Sequence, residues 1–427
     1  MGCVARDRWI LMVATVMLAG CSTPETRPGH TVPVTRVERL RKGVSVSTWF
    51  RGFESGFAPG SLGVLSQAEM RQMRRMGIGH VRLALDPALF YRPDAPQRLD
   101  PTYLKALDDA ILGLFEEDIA VVLDLHDEKK PYDAVGVGAE QGRRWLDGLV
   151  PFWSEMSDHY RRFDPDRLFF ELLNEPTFKR RSGEWAAVQE QCVQAIRKHC
   201  PRHTIIATVT DWSSVDRLAD LRPSSDPNVV YAFHFYEPYA FTHQGAPWAD
   251  KSTRALRGLP YPVQGSLPEG LSSSKSAVDY FAERWNRERV RKRIDLAGEW
   301  SRKWGRPVWC GEFGAYPKSV SAASRTAWFT DVADALRANR IGACIWSWDE
   351  GLGLKYMTDS AGRPVPNPEV AKAVGLLPDR REDPKKESPV VAVPVPSSTL
   401  APGNARRTVR KRSPHRRRAL HVPRRRR

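Results

Sequence analysis

Eight short apolar segments alternate with amphipathic segments along most of this chain, and this alternation restricts the possible folds more than any other feature. Each apolar segment is six or seven residues long, which suits a buried strand, and the segments between them place apolar residues at helical spacing. The apolar segments are Val44–Trp49, His80–Leu85, Ala120–Leu125, Leu168–Leu173, Thr204–Val209, Val229–Phe235, Pro307–Glu312 and Ile341–Trp346. Strands alternating with helices favour a parallel sheet, and eight such units favour its closure. We therefore predict an α/β fold, a (β/α)8 TIM barrel, as a single domain over residues 40–376.

The amphipathic segments supply the predicted helices. They are Ser66–Met76, Pro101–Glu117, Gln141–Phe163, Glu184–His199, Ser214–Leu221, Ser276–Trp304 and Ala322–Asn339, with a weaker candidate at Pro368–Val374.

One connection, residues 236–275, is unusually long and carries Tyr236, Tyr239, Phe241, Trp248 and Tyr261. Long loops often shape a cleft, and flat aromatic faces suit sugar rings. We expect this loop to form part of a sugar-binding wall.

The first residues have the pattern of an export signal. Two arginines precede the apolar stretch Trp9–Ala19, which is too short to span a bilayer. The stretch ends in Leu-Ala-Gly-Cys, which resembles the bacterial lipoprotein signal, with cleavage before Cys21 and a lipid on its thiol. An ordinary secretory signal with an incidental cysteine is the alternative. We predict a lipoprotein signal peptide at 1–20, a tether at 21–39, and an exported protein anchored to a membrane through Cys21.

Basic residues concentrate at the other end of the chain. Residues 401–427 contain 12 Lys and Arg residues and no Asp or Glu, so most of the formal net charge of +16 lies there. A segment rich in Pro, Val and Ser precedes them, as in an extended linker. We predict a disordered tail over residues 377–427. No aromatic residues interleave its arginines, so we expect no nucleic-acid partner. Contact with anionic envelope polymers, contact with lipid headgroups and a dispensable extension are the alternatives.

The cysteines give no metal-binding pattern. Cys192, Cys200, Cys310 and Cys344 remain after the signal region, and no two have CxxC spacing. Cys310 and Cys344 fall on neighbouring predicted strands. We expect them to be small buried residues, with a disulfide as the alternative in an oxidising compartment.

Two glutamates each follow a predicted buried strand. Glu175 lies in an Asn-Glu-Pro motif after the fourth strand, and Glu312 lies in a Gly-Glu-Phe-Gly motif at the end of the seventh. Barrels of this kind hold their reactive groups at the carboxyl ends of strands. Two carboxylates that meet there can act on one bond of a substrate, which is the arrangement that glycoside hydrolysis requires.

The two glutamates are expected to differ in protonation. Burial disfavours the charged form of a carboxyl group, so we expect Glu175 to hold a proton and to give it to a departing oxygen. Glu312 must be ionised to act as a nucleophile, which requires a nearby cation or hydrogen-bond donors. Arg82 of the second strand is the candidate cation, and Tyr236, just beyond the sixth, is the candidate donor. A structural ion pair elsewhere in the barrel is the alternative role for Arg82.

Other polar and aromatic residues stand at strand ends. His126 ends the third strand, Asn174 follows the fourth and His234 lies near the end of the sixth. With the two glutamates they predict a polar ring on one rim of the barrel. A metal site is the alternative, but the spacing matches no zinc motif. After the eighth strand, we expect one of Trp346 and Trp348 to face a bound sugar and the other to pack in the barrel, and we assign the sugar platform to Trp346.

Taken together, these motifs resemble glycoside hydrolase family 5 over roughly residues 40–375. The shared features are Asn-Glu-Pro after the fourth strand, Gly-Glu-Phe-Gly at the seventh, His-x-Tyr at the sixth, Arg on the second and Trp at the eighth. The resemblance implies a retaining mechanism with Glu175 as acid/base and Glu312 as nucleophile. Their carboxyl groups are then expected about 5–5.5 Å apart.

The resemblance also implies roles for the remaining residues. Asn174 would bond the sugar 2-hydroxyl, and Arg82 and Tyr236 would hold Glu312 ionised and oriented. His126 and His234 would line the cleavage subsite, and no metal or organic cofactor is implied. One position departs from the family pattern, because Asp127 stands where many members have a second histidine. We expect the neighbouring sugar subsite to differ.

We expect an exported, membrane-anchored, monomeric endo-β-glycanase that acts on a polysaccharide or oligosaccharide, and the resemblance favours β-1,4-glucan as its substrate (cellulase type). A β-mannanase, another β-glucanase and a transglycosylase that remodels an envelope polysaccharide share the same catalytic residues. A non-catalytic carbohydrate-binding barrel is the alternative from another class. The intact pair of glutamates argues against that last alternative.

Overall fold

Eight parallel strands form a closed barrel in the computed structural model. The structure describes residues 31–51, 65–92, 95–127, 139–178, 182–348, 351–355, 357–358, 360 and 364–377. The barrel strands are β1 (Lys42–Phe50), β2 (His80–Leu85), β3 (Ala120–Leu125), β4 (Leu168–Glu171), β5 (Thr204–Thr208), β6 (Val229–Phe235), β7 (Val308–Phe313) and β8 (Gly342–Ile345). Each strand pairs with its neighbours in the sequence of strands, and β1 also pairs with β8. The predicted TIM barrel is confirmed.

Helices connect most successive strands. The longer ones and the N-terminal one are α1 (Val34–Arg39), α2 (Gln67–Arg75), α3 (Pro101–Glu116), α4 (Ala139–Tyr160), α5 (Ser182–His199), α6 (Lys275–Glu283), α7 (Arg287–Trp304), α8 (Ala322–Ala338) and α9 (Pro368–Ala373). Shorter elements are helices Pro87–Phe90, Thr210–Ser213, Tyr239–Thr242 and Lys251–Ala255, 3-10 turns Val215–Leu218, Glu269–Leu271 and Pro317–Ser319, and the strand pairs Tyr91–Arg92 with Ala95–Leu99 and Met357–Thr358 with Pro364–Val365.

The single helix expected over Ser276–Trp304 is two helices. Helix α6 ends at Glu283, and its C-cap residue Arg284 has a left-handed backbone with a φ of 52°. Two residues later, the Asn286 side chain accepts a hydrogen bond from the Arg289 N–H and caps α7. Asparagine is among the best N-cap residues, so the sequence does contain a start signal for α7.

The lower interior of the barrel is apolar. Residues from alternate positions of the strands fill it together with Val32 and Leu40, and the set is Val32, Leu40, Ala120, Val122, Phe169, Ile206, Val230, Ala232, Trp309 and Cys344. Because side chains alternate along a strand, the next inward positions toward the carboxyl ends include Arg82, Asp124, Glu171 and His234. The same register that fills the core therefore places polar residues above it.

Helix α1 shows that the predicted tether, residues 21–39, is too long. Val32 and Leu40 on either side of the helix pack into the lower barrel core. Arg36 is buried and donates to Asp166 Oδ1 at 2.7 Å and to Thr204 Oγ1 at 3.1 Å. The helix has only six residues, too few for a periodic pattern to be recognised. The folded domain thus begins before residue 40.

A bulge in β7 sets the direction of Glu312. Phe233 of β6 pairs with Cys310, but the next residue, His234, pairs with Glu312, so Gly311 is an extra residue in β7. Trp309 and Glu312 therefore both face the interior although they are three positions apart. A Cβ on residue 311 would lie 3.0 Å from His234 Nε2, so glycine allows this close approach.

The signal peptide, the Cys21 lipidation site and the tail from residue 378 onward lie outside the described residues and stay predictions. Among the described residues, no helix combines the length and apolar character needed to cross a membrane.

Candidate active site

The predicted site residues converge at the carboxyl end of the barrel. Arg82 comes from β2, His126 follows β3, Asn174 and Glu175 follow β4, and His234 and Tyr236 lie at the end of β6. Glu312 from β7 and Trp346 after β8 complete the set. Hydrogen bonds or ring contacts link every one of these residues to another member of the set.

Glu175 and Glu312 face each other across His234. The His234 Nδ1 atom lies 3.0 Å from Glu175 Oε1 and 3.5 Å from Glu312 Oε2. One carboxylate oxygen of each glutamate lies within 4.8 Å of the other. This separation fits the close carboxylate pair of retaining glycosidases, about 5–5.5 Å, and not the wider pair of inverting ones. Glu175 has a left-handed backbone with a φ of 43°, an uncommon conformation that occurs at functional sites.

Both oxygens of Glu312 accept hydrogen bonds from the residues predicted to hold it. Arg82 Nη1 donates to Oε1 at 2.5 Å, and the Tyr236 hydroxyl donates to Oε2 at 2.8 Å. Burial, followed by the negative charges of Glu312 and Glu175, raises the pKa of Tyr236 well above its ordinary value. Tyr236 therefore remains a donor at physiological pH, and Glu312 is oriented from two sides.

Arg82 binds more partners than the sequence indicated. Its Nε and Nη2 atoms donate to the two oxygens of Glu171 at 2.6 and 2.9 Å. Nη2 also lies 2.9 Å from Asn174 Oδ1 and 3.0 Å from Asp124 Oδ2. We call Arg82, Asp124, Glu171, Asn174 and Glu312 the Arg82 cluster. The expected role beside Glu312 and the alternative role as a structural ion pair therefore coexist in one side chain.

Charge in the Arg82 cluster is unbalanced, because one guanidinium faces three buried carboxyl groups. Burial alone would lower the pKa of Arg82, but Asp124, Glu171 and Glu312 raise it well above its ordinary value. Burial raises the pKa of Glu171 to about 7, although the neighbouring charge of Arg82 lowers it. The charge of Glu171 therefore depends on pH near neutrality.

His126 and Trp346 contact each other at the same end of the barrel. His126 Nδ1 lies 2.7 Å from Asp124 Oδ2, and its Nε2 lies 3.1 Å from Asn174 Nδ2. The Trp346 ring stacks on the His126 ring, with centroids 5.3 Å apart and planes 19° apart. Trp346 is half-buried, whereas Trp348 is fully buried. Of the two tryptophans, Trp346 is therefore the one placed to meet a ligand.

Fewer aromatic side chains of the long loop after β6 are exposed than we expected. Phe241 and Tyr261 are buried in the main hydrophobic core, so their expected place in a ligand-binding wall is wrong. Tyr239 and Trp248 are exposed, as is Trp212 in the segment after β5. Trp212 was not singled out from the sequence. Its position in the sequence could have indicated it, since a tryptophan shortly after a barrel strand falls on the catalytic rim.

The four cysteines of the described domain are free and buried. Cys310 Sγ contacts the Glu312 carbonyl oxygen at 3.3 Å, and Cys344 Sγ lies 3.4 Å from Ser45 Oγ. They are small buried residues, as expected, and not a bridge.

Glu175, His234 and Glu312 are also close enough to be considered as metal ligands, with donor atoms within 4.8 Å of one another. Both oxygens of Glu312 already accept hydrogen bonds, and one donor is the Arg82 guanidinium. A cation bound there would face that positive charge. The donors around Glu312 thus favour a catalytic carboxylate over a metal ligand.

A family model and several known proteins match this chain. A family model described as cellulase (glycosyl hydrolase family 5) matches residues 44–351. Endoglucanase 3 of Fibrobacter succinogenes is 28% identical over 70% of this chain and 48% of its own length, so the chain spans about half of that relative. Endoglucanase C of Acetivibrio thermocellus is 24% identical over 72% of this chain and 91% of its own length. The crystal structure of endoglucanase Cel5A from Thermotoga maritima has a TM-score of 0.65 and 23% identity, covering 81% of this chain and 100% of that one. The chain belongs to glycosyl hydrolase family 5.

Proposed function

We propose that this protein is a retaining endo-β-glycanase that hydrolyses β-1,4-glucan. The close pair of Glu175 and Glu312 at the carboxyl end of the barrel carries this proposal. The family match and the endoglucanase relatives favour glucan over other β-linked polymers.

The geometry supports a double displacement. Glu312 attacks the anomeric carbon while Glu175 gives its proton to the departing glycosidic oxygen, so one C–O bond forms as another breaks. Glu175, now a carboxylate, removes a proton from water, which attacks the same carbon and releases Glu312. Two inversions leave the anomeric configuration unchanged. Arg82 and Tyr236 keep Glu312 aimed at the carbon throughout.

His126, Asn174, His234 and Trp346 surround the place where the reacting sugar would lie. Asn174 neighbours Glu175 and is fixed by Arg82 and His126, which suits a hydrogen bond to the sugar 2-hydroxyl. Trp212, Tyr239 and Trp248 are exposed aromatic residues on the segments after β5 and β6, and we propose them as stacking surfaces for further sugars. Stacking on several sugars would favour a polymer over a single sugar unit.

Digestion of a panel of β-glucans, mannans and xylans tests the proposal. We expect β-1,4-glucan to be cleaved fastest, with a rapid loss of viscosity that marks internal cleavage. NMR of the first products should show the β-anomer, because the configuration is retained. A first product of α configuration would contradict the mechanism, and faster hydrolysis of mannan would move the substrate to that polymer. Products longer than the starting oligosaccharide would favour the transglycosylase alternative.

We also propose that the enzyme is exported and held at a membrane by a lipid on Cys21. The Leu-Ala-Gly-Cys motif after a short apolar stretch supports this proposal. In a bacterial host, Cys21→Ser should move the protein from the membrane fraction to the soluble exported fraction, with Cys192→Ser as the control. Unchanged membrane association of Cys21→Ser would contradict the proposed lipid anchor.

A further inference from the structure

Tyr236 holds Glu312 from a position just beyond the end of a strand. Strand β6 ends at Phe235, so the barrel ladder fixes the backbone only up to the residue before Tyr236. The hydroxyl must nevertheless stay 2.8 Å from Glu312 Oε2. Small misplacements of a catalytic contact can cost a large fraction of the rate. Some other contact must therefore fix the segment that carries Tyr236.

Arg293 of α7 binds Glu237, the residue that directly follows Tyr236. Its Nε and Nη2 atoms donate to both oxygens of Glu237 at 2.5 and 2.8 Å. Its Nη1 and Nη2 atoms donate to both oxygens of Asp216, in the 3-10 turn after β5, at 2.8 and 2.7 Å. One guanidinium thus joins the segment after β5, the segment after β6 and helix α7. We call Arg293, Glu237 and Asp216 the Arg293 clamp.

Within the Arg293 clamp, the Arg293–Glu237 pair is better shielded from water than an ordinary surface ion pair, whereas the Asp216 side chain is 53% exposed. The side chains of Arg293 and Glu237 are 26% and 29% exposed, so water screens them only in part. Arg293 donates two hydrogen bonds to the Glu237 carboxylate and two to the Asp216 carboxylate. This bidentate geometry is the one in which arginine–carboxylate pairs are strongest. The Trp328 Nε1–H donates to the Glu237 carbonyl oxygen at 3.0 Å, and Thr242 Oγ1 donates to the Tyr236 carbonyl oxygen at 2.6 Å.

We propose that Arg293 is a positioning residue for catalysis, because it fixes Glu237 and thereby keeps the Tyr236 hydroxyl on Glu312. Arg293 itself is outside the site and touches no reacting atom. This inference rests on the proposed glycosidase function, in which Glu312 is the nucleophile.

Arg293→Met tests the proposal, with Arg287→Met as a matched control. Arg287 lies on the same helix and also pairs with two acidic residues, Asp331 and Asp334, but both are on α8. We expect kcat of Arg293→Met to fall about 10-fold to 100-fold with little change in KM. Arg287→Met should keep the wild-type kcat. Glu237→Gln, which keeps the shape of the side chain, should act in the same direction as Arg293→Met.

A double-mutant cycle with Tyr236→Phe separates positioning from general stabilisation. If Arg293 acts through the tyrosine hydroxyl, Arg293→Met should add less than about twofold to the loss in Tyr236→Phe, because the hydroxyl is already gone. Equal losses in both backgrounds would overturn the proposal.

NMR of protein with ring-labelled tyrosine gives a readout that needs no activity. The Tyr236 signal, assigned by its loss in Tyr236→Phe, should shift in Arg293→Met and Glu237→Gln and stay in place in Arg287→Met. An unmoved signal in both clamp variants would overturn the proposal. If the wild type cleaved no glycan at all, the proposed function would fail, and this signal would still decide whether Arg293 positions Tyr236.

Discussion

Replacing Glu312 with glutamine should lower the rate of hydrolysis by about 10⁴-fold or more, because the amide has no charge and cannot form the glycosyl-enzyme bond. The fold should survive the change. A glutamine oxygen can still accept from Arg82, and its amide group can donate to the Tyr236 oxygen. Initial rates on the best glucan, with circular dichroism and thermal unfolding of the same samples, check both expectations.

Glu288→Gln is the matched control for this substitution. Glu288 lies in the first turn of α7 on the surface and pairs only with Lys292 among the contacts of its side chain in the described structure. The control variant should keep the wild-type rate. Substantial residual hydrolysis by Glu312→Gln would show that another group is the nucleophile.

Replacing Arg82 with methionine should lower the free energy of unfolding by roughly 3–5 kcal/mol, because it leaves buried carboxylates without their cation. Arg82 is fully buried and is bound to Glu171, Asp124 and Glu312. Denaturant unfolding measures the loss. Turnover should fall as well, since Glu312 loses the donor to its Oε1 atom.

The destabilisation of Arg82→Met should depend on pH in a defined direction. The pKa of Glu171 is about 7 against an ordinary value of 4.5, and it should rise further without Arg82, whose charge lowers it. A folded state that binds more protons than the unfolded state loses stability as pH rises. The deficit should therefore be smallest below about pH 4.5 and grow as pH rises beyond about 7. Arg82→Lys, which keeps a charge but not the fork of donors, should lose less stability. A deficit independent of pH would show that the cluster is not held by charge.

The sequence predicted the barrel and the positions of its reactive residues because both follow from local patterns. Apolar segments of strand length fixed the eight strands, and parallel strands bring their carboxyl ends to one rim. Closure of the barrel therefore placed Glu175 and Glu312 on the same rim. Arg82 and Tyr236 were predicted as partners of Glu312 because their strands also end at this rim. Both hydrogen bonds are present.

Features that depend on contacts between distant segments could not be predicted. Strict alternation from Trp309 would turn Glu312 outward, and only pairing with β6 shows the bulge at Gly311. Asp124 and Glu171 lie within predicted strands, where nothing in the local sequence says that their side chains meet Arg82. Phe241 could equally have lined a cleft or filled a core, since aromatic residues suit both.

Asp127 remains the sharpest departure from the family pattern inside the site. It is buried and directly follows His126 in the chain, just after strand β3. A carboxylate only accepts hydrogen bonds, whereas a histidine can also donate them. The difference bears on which sugar fits the neighbouring subsite, and the polysaccharide panel addresses it directly.

Trapping the covalent intermediate probes the carboxylate pair most directly. A cellobioside with fluorine at the sugar 2-position and a reactive leaving group slows release of the enzyme-bound sugar, so the adduct can be found by peptide mass spectrometry. We predict one fluorosugar per enzyme molecule, attached to Glu312, with no adduct in Glu312→Gln. Attachment to Glu175 or any other residue, or steady turnover of the probe without an adduct at Glu312, would contradict the account.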